Sequence, residues 1–231
     1  MANYFCSDLH GEYDAFFRLL DKISFSDDDN VYILGDIIDK GADSSRLVLA
    51  LSDMKNAFAI LGNHEYYFLK HYALCVDDYS SGSIDDLWLK VGEYFQDDPR
   101  PFSPRAADYI ENLPYYIEEK DFICVHAGVM LDSSGKILPM ESQSPNHMIF
   151  DRTFKDDGVL PEKSKTVLFG HTPCSYQNET GKIIKTLRKG LSSAEKLSDY
   201  AKIRLDTGVH LTGLLGCIRK EDLAEFYVHK R

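Results

Sequence analysis

Six short apolar runs in this chain break off at a glycine or at a side chain able to bind a metal ion. Tyr4-Phe5-Cys6 stops before Ser7-Asp8, Val31-Tyr32-Ile33-Leu34 before Gly35-Asp36, and Ala57-Phe58-Ala59-Ile60-Leu61 before Gly62-Asn63-His64-Glu65. Further on, Phe122-Ile123-Cys124-Val125 meets His126, Thr166-Val167-Leu168-Phe169 meets Gly170-His171, and Ile203-Arg204-Leu205 meets Asp206-Thr207-Gly208. Continuous apolar runs of this kind suit strands buried on both faces, with helices covering them. The polar residues all fall at carboxyl ends, where an open α/β sheet has its ligand crevice, so six strands would deliver their terminal residues to one place.

Between the strands the pattern turns helical. Residues 14–22 predict an amphipathic helix with Phe16, Phe17, Leu19 and Leu20 inward, and residues 44–54 another with Leu47, Val48 and Leu51 inward. Residues 214–219 and 225–229, joined by a five-residue connection, predict a terminal antiparallel pair. Two stretches depart from the rhythm. Residues 70–113 hold Ser80-Ser81-Gly82-Ser83, a helical run around Trp88, then Pro99, Pro101 and Pro104, and predict a cap-like insertion over the site. Residues 175–200 predict a long loop near the site, with the cations Lys182, Lys185, Arg188 and Lys189 followed by a helical Ser193-Ala194-Glu195-Lys196 segment. With no repeat or linker, residues 1–231 read as a single domain.

At 231 residues and 44% apolar content the chain can bury a substantial core. Its net charge of −11 argues against a broad basic surface for nucleic acid. No apolar run approaches the ~20 residues of a membrane helix, and no leader pattern opens the chain. Five cysteines, odd in number and without a C-x-x-C pair, predict a reducing compartment and so a cytoplasmic location. Cys6, Cys124 and Cys217 lie in strand-like runs and read as buried small hydrophobes. Cys174, just after His171, is the one expected to be open to oxidation.

The chemistry is concentrated at the strand ends. Asp8-Leu9-His10 places two donors two residues apart, able to point toward one ion. Asp36 can bridge two dications, its charge offsetting their repulsion across ~3.5–4 Å. Asn63 offers an amide oxygen, and His126 and His171 offer imidazoles. This donor set suits Mn, Fe or Zn rather than copper or iron–sulfur sites. Each piece alone is common, and the weight lies in five in order: Ser7-Asp8-Leu9-His10-Gly11, Gly35-Asp36-Ile37-Ile38-Asp39-Lys40-Gly41, Gly62-Asn63-His64-Glu65, Val125-His126-Ala127-Gly128 and Gly170-His171-Thr172.

On these motifs the chain resembles the calcineurin-like metallophosphoesterase superfamily and, within it, the phosphoprotein phosphatase family of serine/threonine phosphatases. The resemblance runs from Asp8 to Asp206-Thr207-Gly208. It implies an α/β fold, a four-layer α/β/β/α sandwich of two mixed sheets flanked by helices, with a dinuclear metal site at the strand carboxyl ends. It implies two divalent ions as cofactors, with Mn first and Fe or Zn as alternatives. Asp8, His10 and Asp36 would hold one ion, and Asp36, Asn63, His126 and His171 the other. Phosphate esters would then be attacked by metal-activated water, with His64 as general acid and Asp39 as its carboxylate partner. The competing role for His64 is a brace for its loop. Many superfamily members carry a second histidine where this chain has Pro173, a departure that matches the phosphoprotein phosphatases and argues against nucleases.

Other departures touch the substrate. Two arginines that surround the phosphate in relatives are replaced by Lys40, which keeps the charge without the planar fork, and by Leu61, which has none. Arg152 resembles the remaining phosphate-binding arginine, against the alternative of a surface ion pair with Asp151 or Asp156. Arg152, Lys40 and Asn63 are therefore the expected substrate contacts, with Lys185 or Arg188 as possible replacements for the missing arginines. Asp206 is expected to be structural or to orient a ligand histidine through its free ring nitrogen. His71, His147, His210 and His229 match no motif and read as core or surface residues.

The substrate expected first is a phosphoprotein, at serine or threonine and also tyrosine, or a small phosphate ester. The alternative is a dinucleoside polyphosphate of the symmetrical diadenosine tetraphosphate type, to which Ala127 points, while Glu65 in place of aspartate points back to the phosphatase. A non-catalytic scaffold is disfavoured because all six metal ligands are present. Neither nucleic acid nor membrane is an expected partner.

Overall fold

All six apolar runs fold into strands, and the strands sort into two sheets. The computed structural model describes residues 1–79, 83–95, 102–156 and 164–230. β1 (Asn3–Cys6), α1 (Tyr13–Lys22), β2 (Asn30–Ile33), α2 (Ser44–Asp53), β3 (Ala57–Ala59) and α3 (Asn63–Asp77) alternate along the first third of the chain. α4 (Ile84–Gly92) and α5 (Pro104–Glu111) come next, then β4 (Tyr116–Glu118), β5 (Phe122–Val125), α6 (Pro145–Phe150) and β6 (Thr166–Phe169). β7 (Ile184–Leu187), β8 (Tyr200–Arg204), α7 (Val209–Thr212), β9 (Leu214–Arg219) and β10 (Glu225–His229) complete the order.

One sheet runs β10-β9-β1-β2-β3 and the other β4-β5-β6-β8-β7. The six strands of the apolar runs are the parallel ones, β1 with β2 and β3, and β5 with β6 and β8. The remaining four pair antiparallel at the flanks, including β9 with β10 as their pattern predicts. Parallel pairing aims the carboxyl ends of each trio the same way, which is how the motif residues come together.

Alternation within each run explains burial on both faces. Phe5, Tyr32, Leu34, Phe122, Cys124, Leu168 and Ile203 point between the sheets. There Phe5 stacks on Tyr32 with centroids 5.0 Å apart and meets Phe122 edge-on, also at 5.0 Å. Tyr4, Cys6, Val31 and Ile33 point the other way, onto the buried sides of α1 and α2. Ile123, Val125, Val167 and Phe169 pack outward on Met148 and Ile149 of α6 and on Phe154. The result is a mixed α/β/β/α sandwich. α1 buries Ala15, Phe16, Leu19 and Leu20, while Phe17 is half-buried and stacks on Tyr13 at 4.4 Å.

The 70–113 stretch begins by completing α3. Ser83 caps α4, its hydroxyl accepting the Asp86 N–H at 3.2 Å, and Pro104 opens α5, where its missing N–H is no loss. Ser80, Ser81, Gly82, Pro99 and Pro101 lie outside the described residues. Leu87, Val91, Phe95, Phe102, Ala106 and Ile110 join the same buried cluster as α1–α3, so the described part thickens the outer helical layer. It reaches the site's edge at Tyr94, whose hydroxyl lies 3.4 Å from the His64 carbonyl oxygen.

The 175–200 stretch is less loop-like than expected, because β7 pairs along β8. Residues 193–196 are not helical: the Asp199 carboxylate accepts the Glu195 and Lys196 N–H groups at 2.9 and 3.1 Å and fixes a turn there. Lys185 is paired with Glu225 of β10. Buried Arg188 donates to the Ser198 carbonyl at 2.7 Å and also to that of Ser164, beside the amino end of β6. The site lies at the opposite end of that strand, so Arg188 does not face it, and Lys185 is held on Glu225 instead. All five cysteines are buried and unpaired. The expectation for Cys174 fails, since burial pushes its thiol up to about 12 and leaves little reactive thiolate. Among the described residues no helix is long and apolar enough to cross a membrane.

Phe68 is fully buried where α3 meets Phe95 and Phe102, at centroid distances of 5.4 and 4.8 Å. Phe68→Ala is expected to lower the unfolding free energy by about 3–5 kcal/mol in denaturant titration. Leu89→Ala, on the exposed side of α4, should change it by less than about 0.5 kcal/mol. Similar losses for the two would show that α4 and α5 do not share the main core.

Candidate metal centre

The strands release the chain into sharply turned backbone. Among the described residues eight non-glycine positions have positive φ, and six of them are Asp8, His10, Asp36, Asp39, Lys40 and His171. Left-handed backbone costs roughly 1–2 kcal/mol at such positions, so the surroundings must hold it in place. The loops after β1 and β2 hold each other: the Asp8, His10 and Gly11 N–H groups donate to Gly35, Asp36 and Ile37 carbonyls at 3.1, 2.9 and 2.7 Å. Glu65, fully buried in the first turn of α3, clamps the same loop. Its Oε2 accepts the Asp36 and Gly62 N–H groups, both at 2.8 Å, and its Oε1 those of Ile37 and Ile38 at 2.7 and 3.1 Å. Two glycines permit the close approach. A Cβ on Gly62 would overlap the Asp36 carboxylate and amide, and one on Gly170 would overlap the Ser7 and Asp8 side chains.

Main-chain carbonyls aim two of the histidines. His10 Nδ1 lies 3.2 Å from the Ile38 oxygen and His126 Nδ1 lies 2.7 Å from that of Leu34. A carbonyl only accepts, so each Nδ1 carries the hydrogen and Nε2 is turned inward. His126 Nε2 is 3.0 Å from Asn63 Oδ1 and 3.3 Å from Asp36 Oδ1, and His171 Nδ1 is 2.7 Å from Asn63 Oδ1. His10 Nε2 lies 3.9 Å from the other Asp36 oxygen. With the hydrogen on Nδ1, a neutral His126 ring would turn a lone pair toward the Asn63 and Asp36 oxygens, an arrangement that a proton or a metal ion between them satisfies.

Protons and an ammonium stand where that charge belongs. Burial opposes a charge on His126, yet the Asp36 carboxylate outweighs it and raises its pKa to about 10. Asp36 in turn is held well below the usual carboxylate range, with His126 overcoming the effect of burial. Lys40 Nζ sits 3.1 Å from His10 Nε2. Burial pushes His10 and His171 down to about 3, the neutral form a ligand requires. Asp8 and Asp206 are also buried: burial and Asp206 lift the Asp8 pKa well above normal, and burial lifts Asp206 to about 6. A pocket of buried carboxylates, neutral imidazoles and an amide oxygen fits divalent ions of the Mn, Fe or Zn type.

Asp36, His126 and His171 form one cluster able to hold an ion, with Asn63 against it, and His10, Asp36 and His64 form a second. Asp8 stands beside them, one of its oxygens accepting the Ser7 hydroxyl and the His171 N–H, the latter at 3.1 Å. His64 Nδ1 donates to Asp39 at 2.7 Å, which leaves its Nε2 facing the crevice, 3.8 Å from Asp36. Burial would raise the Asp39 pKa, but the bond from His64 brings it below normal. Of the two roles expected for Asp206 the structural one is seen: among the described residues its carboxylate accepts the Gly208 N–H at 2.8 Å, while carbonyls hold His10 and His126. Arg152 is exposed and its charge acts on His171. Among the described residues no carboxylate pairs with Arg152, since Asp151 is taken by Thr153 and Phe154. Leu61 is buried and offers a phosphate nothing.

One residue was missed. The His210 ring lies edge-on to His10 with centroids 4.8 Å apart, and its buried Nδ1 finds no hydrogen-bond partner among the described residues. Its position just after Asp206-Thr207-Gly208, itself a strand-end motif, was the available signal.

The family model for calcineurin-like phosphoesterases matches residues 3–198. The chain is 28% identical over 132 residues to the symmetrical bis(5'-nucleosyl)-tetraphosphatase of Nitrosomonas europaea, covering 56% of this chain and 46% of that protein. It spans less than half of the length of the curated relatives it matches, from 26% to 46%. Among solved structures, a candidate diadenosine tetraphosphatase superposes with a TM-score of 0.66 at 20% identity, covering 100% of this chain and 94% of the other. A protein serine/threonine phosphatase from Saccharomyces cerevisiae gives 0.57 at 16% identity, covering 99% and 80%. At these identities the likeness is one of fold.

Adding Mn²⁺ to metal-free protein at about a hundred times its dissociation constant is expected to raise the unfolding free energy by about 2.7 kcal/mol. Asp36→Asn should remove most of that rise. If the rise survives intact in the variant, the ion binds elsewhere.

Proposed function

The chain belongs to the calcineurin-like phosphoesterase family, and from that premise we propose that it is a two-metal hydrolase whose substrates are dinucleoside polyphosphates. The observation that carries the metal chemistry is the convergence of acceptor atoms on Asp36. His10, Asp36 and Asp8 would hold one ion, and Asp36, Asn63, His126 and His171 the other. When bound, such a pair supplies a water acidified for attack near neutral pH and the charge that holds a phosphate in line.

The remaining tasks belong to the chain. His64, anchored through Nδ1 to Asp39, presents Nε2 to the crevice and gives a proton to the departing oxygen. Lys40 and Arg152 bring positive charge to opposite sides of the cluster, beside His10 and His171, and neutralise phosphate oxygens. Lys40 is a compact charge rather than a fork, so it orients phosphate less strictly than an arginine would. Asn63, its amide oxygen 3.0 Å from His126 and 2.7 Å from His171, would contact both an ion and the phosphate.

The substrate assignment rests on the relatives. The curated relatives aligned over 89–138 residues carry the name symmetrical bis(5'-nucleosyl)-tetraphosphatase, and over the whole chain the candidate diadenosine tetraphosphatase stands at 20% identity against 16% for the protein serine/threonine phosphatase. Glu65, with four backbone N–H groups on its carboxylate, makes no contact of its own with a substrate, and its departure from the aspartate of the tetraphosphatases stays on the side of the phosphoprotein reading. Pro173, two residues after His171, keeps phosphomonoesters as the second reading.

Mn²⁺-loaded protein is expected to cleave diadenosine tetraphosphate to ADP with kcat/KM at least about tenfold above that for a phosphoserine peptide, roughly 1.4 kcal/mol of transition-state preference. The reverse order would replace this reading with the phosphomonoester one, and no turnover of either would remove the enzyme assignment. His64→Ala should lower kcat by about 10²–10⁴ at unchanged metal content. Near-normal turnover in that variant would reduce His64 to a loop brace.

A further inference from the structure

The crevice has an aromatic wall that the chemistry above does not use. Tyr67 lies one helical turn after His64 on α3, on the same side of the helix. Its ring is 5.5 Å from Phe150, which is itself 5.5 Å from Tyr66. Phe150 precedes Arg152 by two residues, and its main chain lies against the His171 ring. Tyr94, at the His64 carbonyl, stands within electrostatic reach of Tyr67. Rings therefore follow the rim of the site from His64 round to Arg152.

Packing accounts for Tyr66, which touches the apolar clusters of both outer layers. It does not account for Tyr67, which is 51% exposed and gains little for folding from a ring left in water. Flat, accessible ring surface between a proton donor and an exposed cation matches a planar aromatic group joined to phosphate, because bases stack on such side chains irrespective of sequence.

We propose that Tyr67 and Phe150 form a stacking platform for a nucleobase of the substrate, whose phosphate lies between His64 and Arg152. The identity of the ring as a nucleobase rests on the dinucleoside polyphosphate reading; the existence of the platform does not. Tyr67 discriminates among substrates and takes no part in bond breaking.

The test compares Mn²⁺-loaded wild type, Tyr67→Ala and Tyr67→Phe on diadenosine tetraphosphate and on inorganic tetrapolyphosphate, which has the phosphate chain without the bases. In Tyr67→Ala the ratio of the two kcat/KM values is expected to fall about tenfold, the scale of one lost base–aromatic stack, mainly through KM for the dinucleotide. Tyr67→Phe, which keeps the ring, should restore the ratio to within about twofold. An unchanged ratio in Tyr67→Ala overturns the platform. Calorimetric binding of ADP relative to pyrophosphate separates the two ideas. If wild type ignores the dinucleotide but Tyr67→Ala still loses the ADP preference, the substrate reading fails and the platform stands. If the ADP preference is unaffected, the platform fails whatever the substrate.

Discussion

Where the two sheets meet, buried acceptors outnumber donors, and much of the local structure is a response to that imbalance. Asp8, Asp36, Asp206 and Glu65 are all buried within one crevice. Burying a carboxylate costs several kcal/mol unless its charge is met. Each is met differently. Glu65 takes backbone N–H groups, Asp36 takes His126, Asp8 takes the Ser7 hydroxyl and the His171 amide, and Asp206 takes the Gly208 amide. The local donors leave an excess of negative charge and inward lone pairs, and divalent ions are the natural complement. The positive φ values gather here for the same reason, since only sharply turned backbone brings so many strand ends within reach.

The same groups join the sheets. His126 follows β5 in one sheet and donates to the Leu34 carbonyl at the end of β2 in the other. The His171 amide, after β6, donates to Asp8, after β1. A substitution at His126 or Asp8 therefore removes a donor set and an inter-sheet bond together. If these side chains hold the ions as proposed, stability and metal affinity are tied together at both positions, whereas the exposed side chains of Lys40 and Arg152 hold no part of the sandwich together.

What was legible in the sequence was whatever depends on neighbours along the chain. Strand ends, the period of α1 and α2, and the β9–β10 hairpin all follow from local pattern. What escaped depends on distant partners. Glu65 reads in sequence only as a marker between two substrate classes, and its role as a clamp is hidden because three of its four bonds reach to residues nearly thirty positions away. Arg188 and Lys185 form a cationic cluster in sequence, and only the pairing of β7 on β8 shows that they face Ser198, Ser164 and Glu225 instead of the site. Cys174 follows the His171 motif, yet the turn after Pro173 buries its thiol. His210 shows the converse: no motif marks it, and the short α7 after Gly208 carries it to His10.

The two halves of the crevice are not equally closed. Asn63, His126 and His171 present their donor atoms within 2.7–3.3 Å of one another or of Asp36, whereas His10 stands 3.9 Å from Asp36 with Lys40 at its lone pair. An ammonium and a metal ion cannot share that lone pair, so the position of Lys40 and the filling of the second half are linked. Lysine suits this link better than arginine, because a point charge on a flexible four-carbon stem can serve the carboxylates in one state and a phosphate in another. A guanidinium could make a firmer, bidentate hold on phosphate, but its planar fork fits a single imidazole nitrogen poorly. On the proposed reading, a mobile charge at position 40 would hold phosphate less firmly than a fork, while here it stands at the His10 ring and acts on buried Asp206.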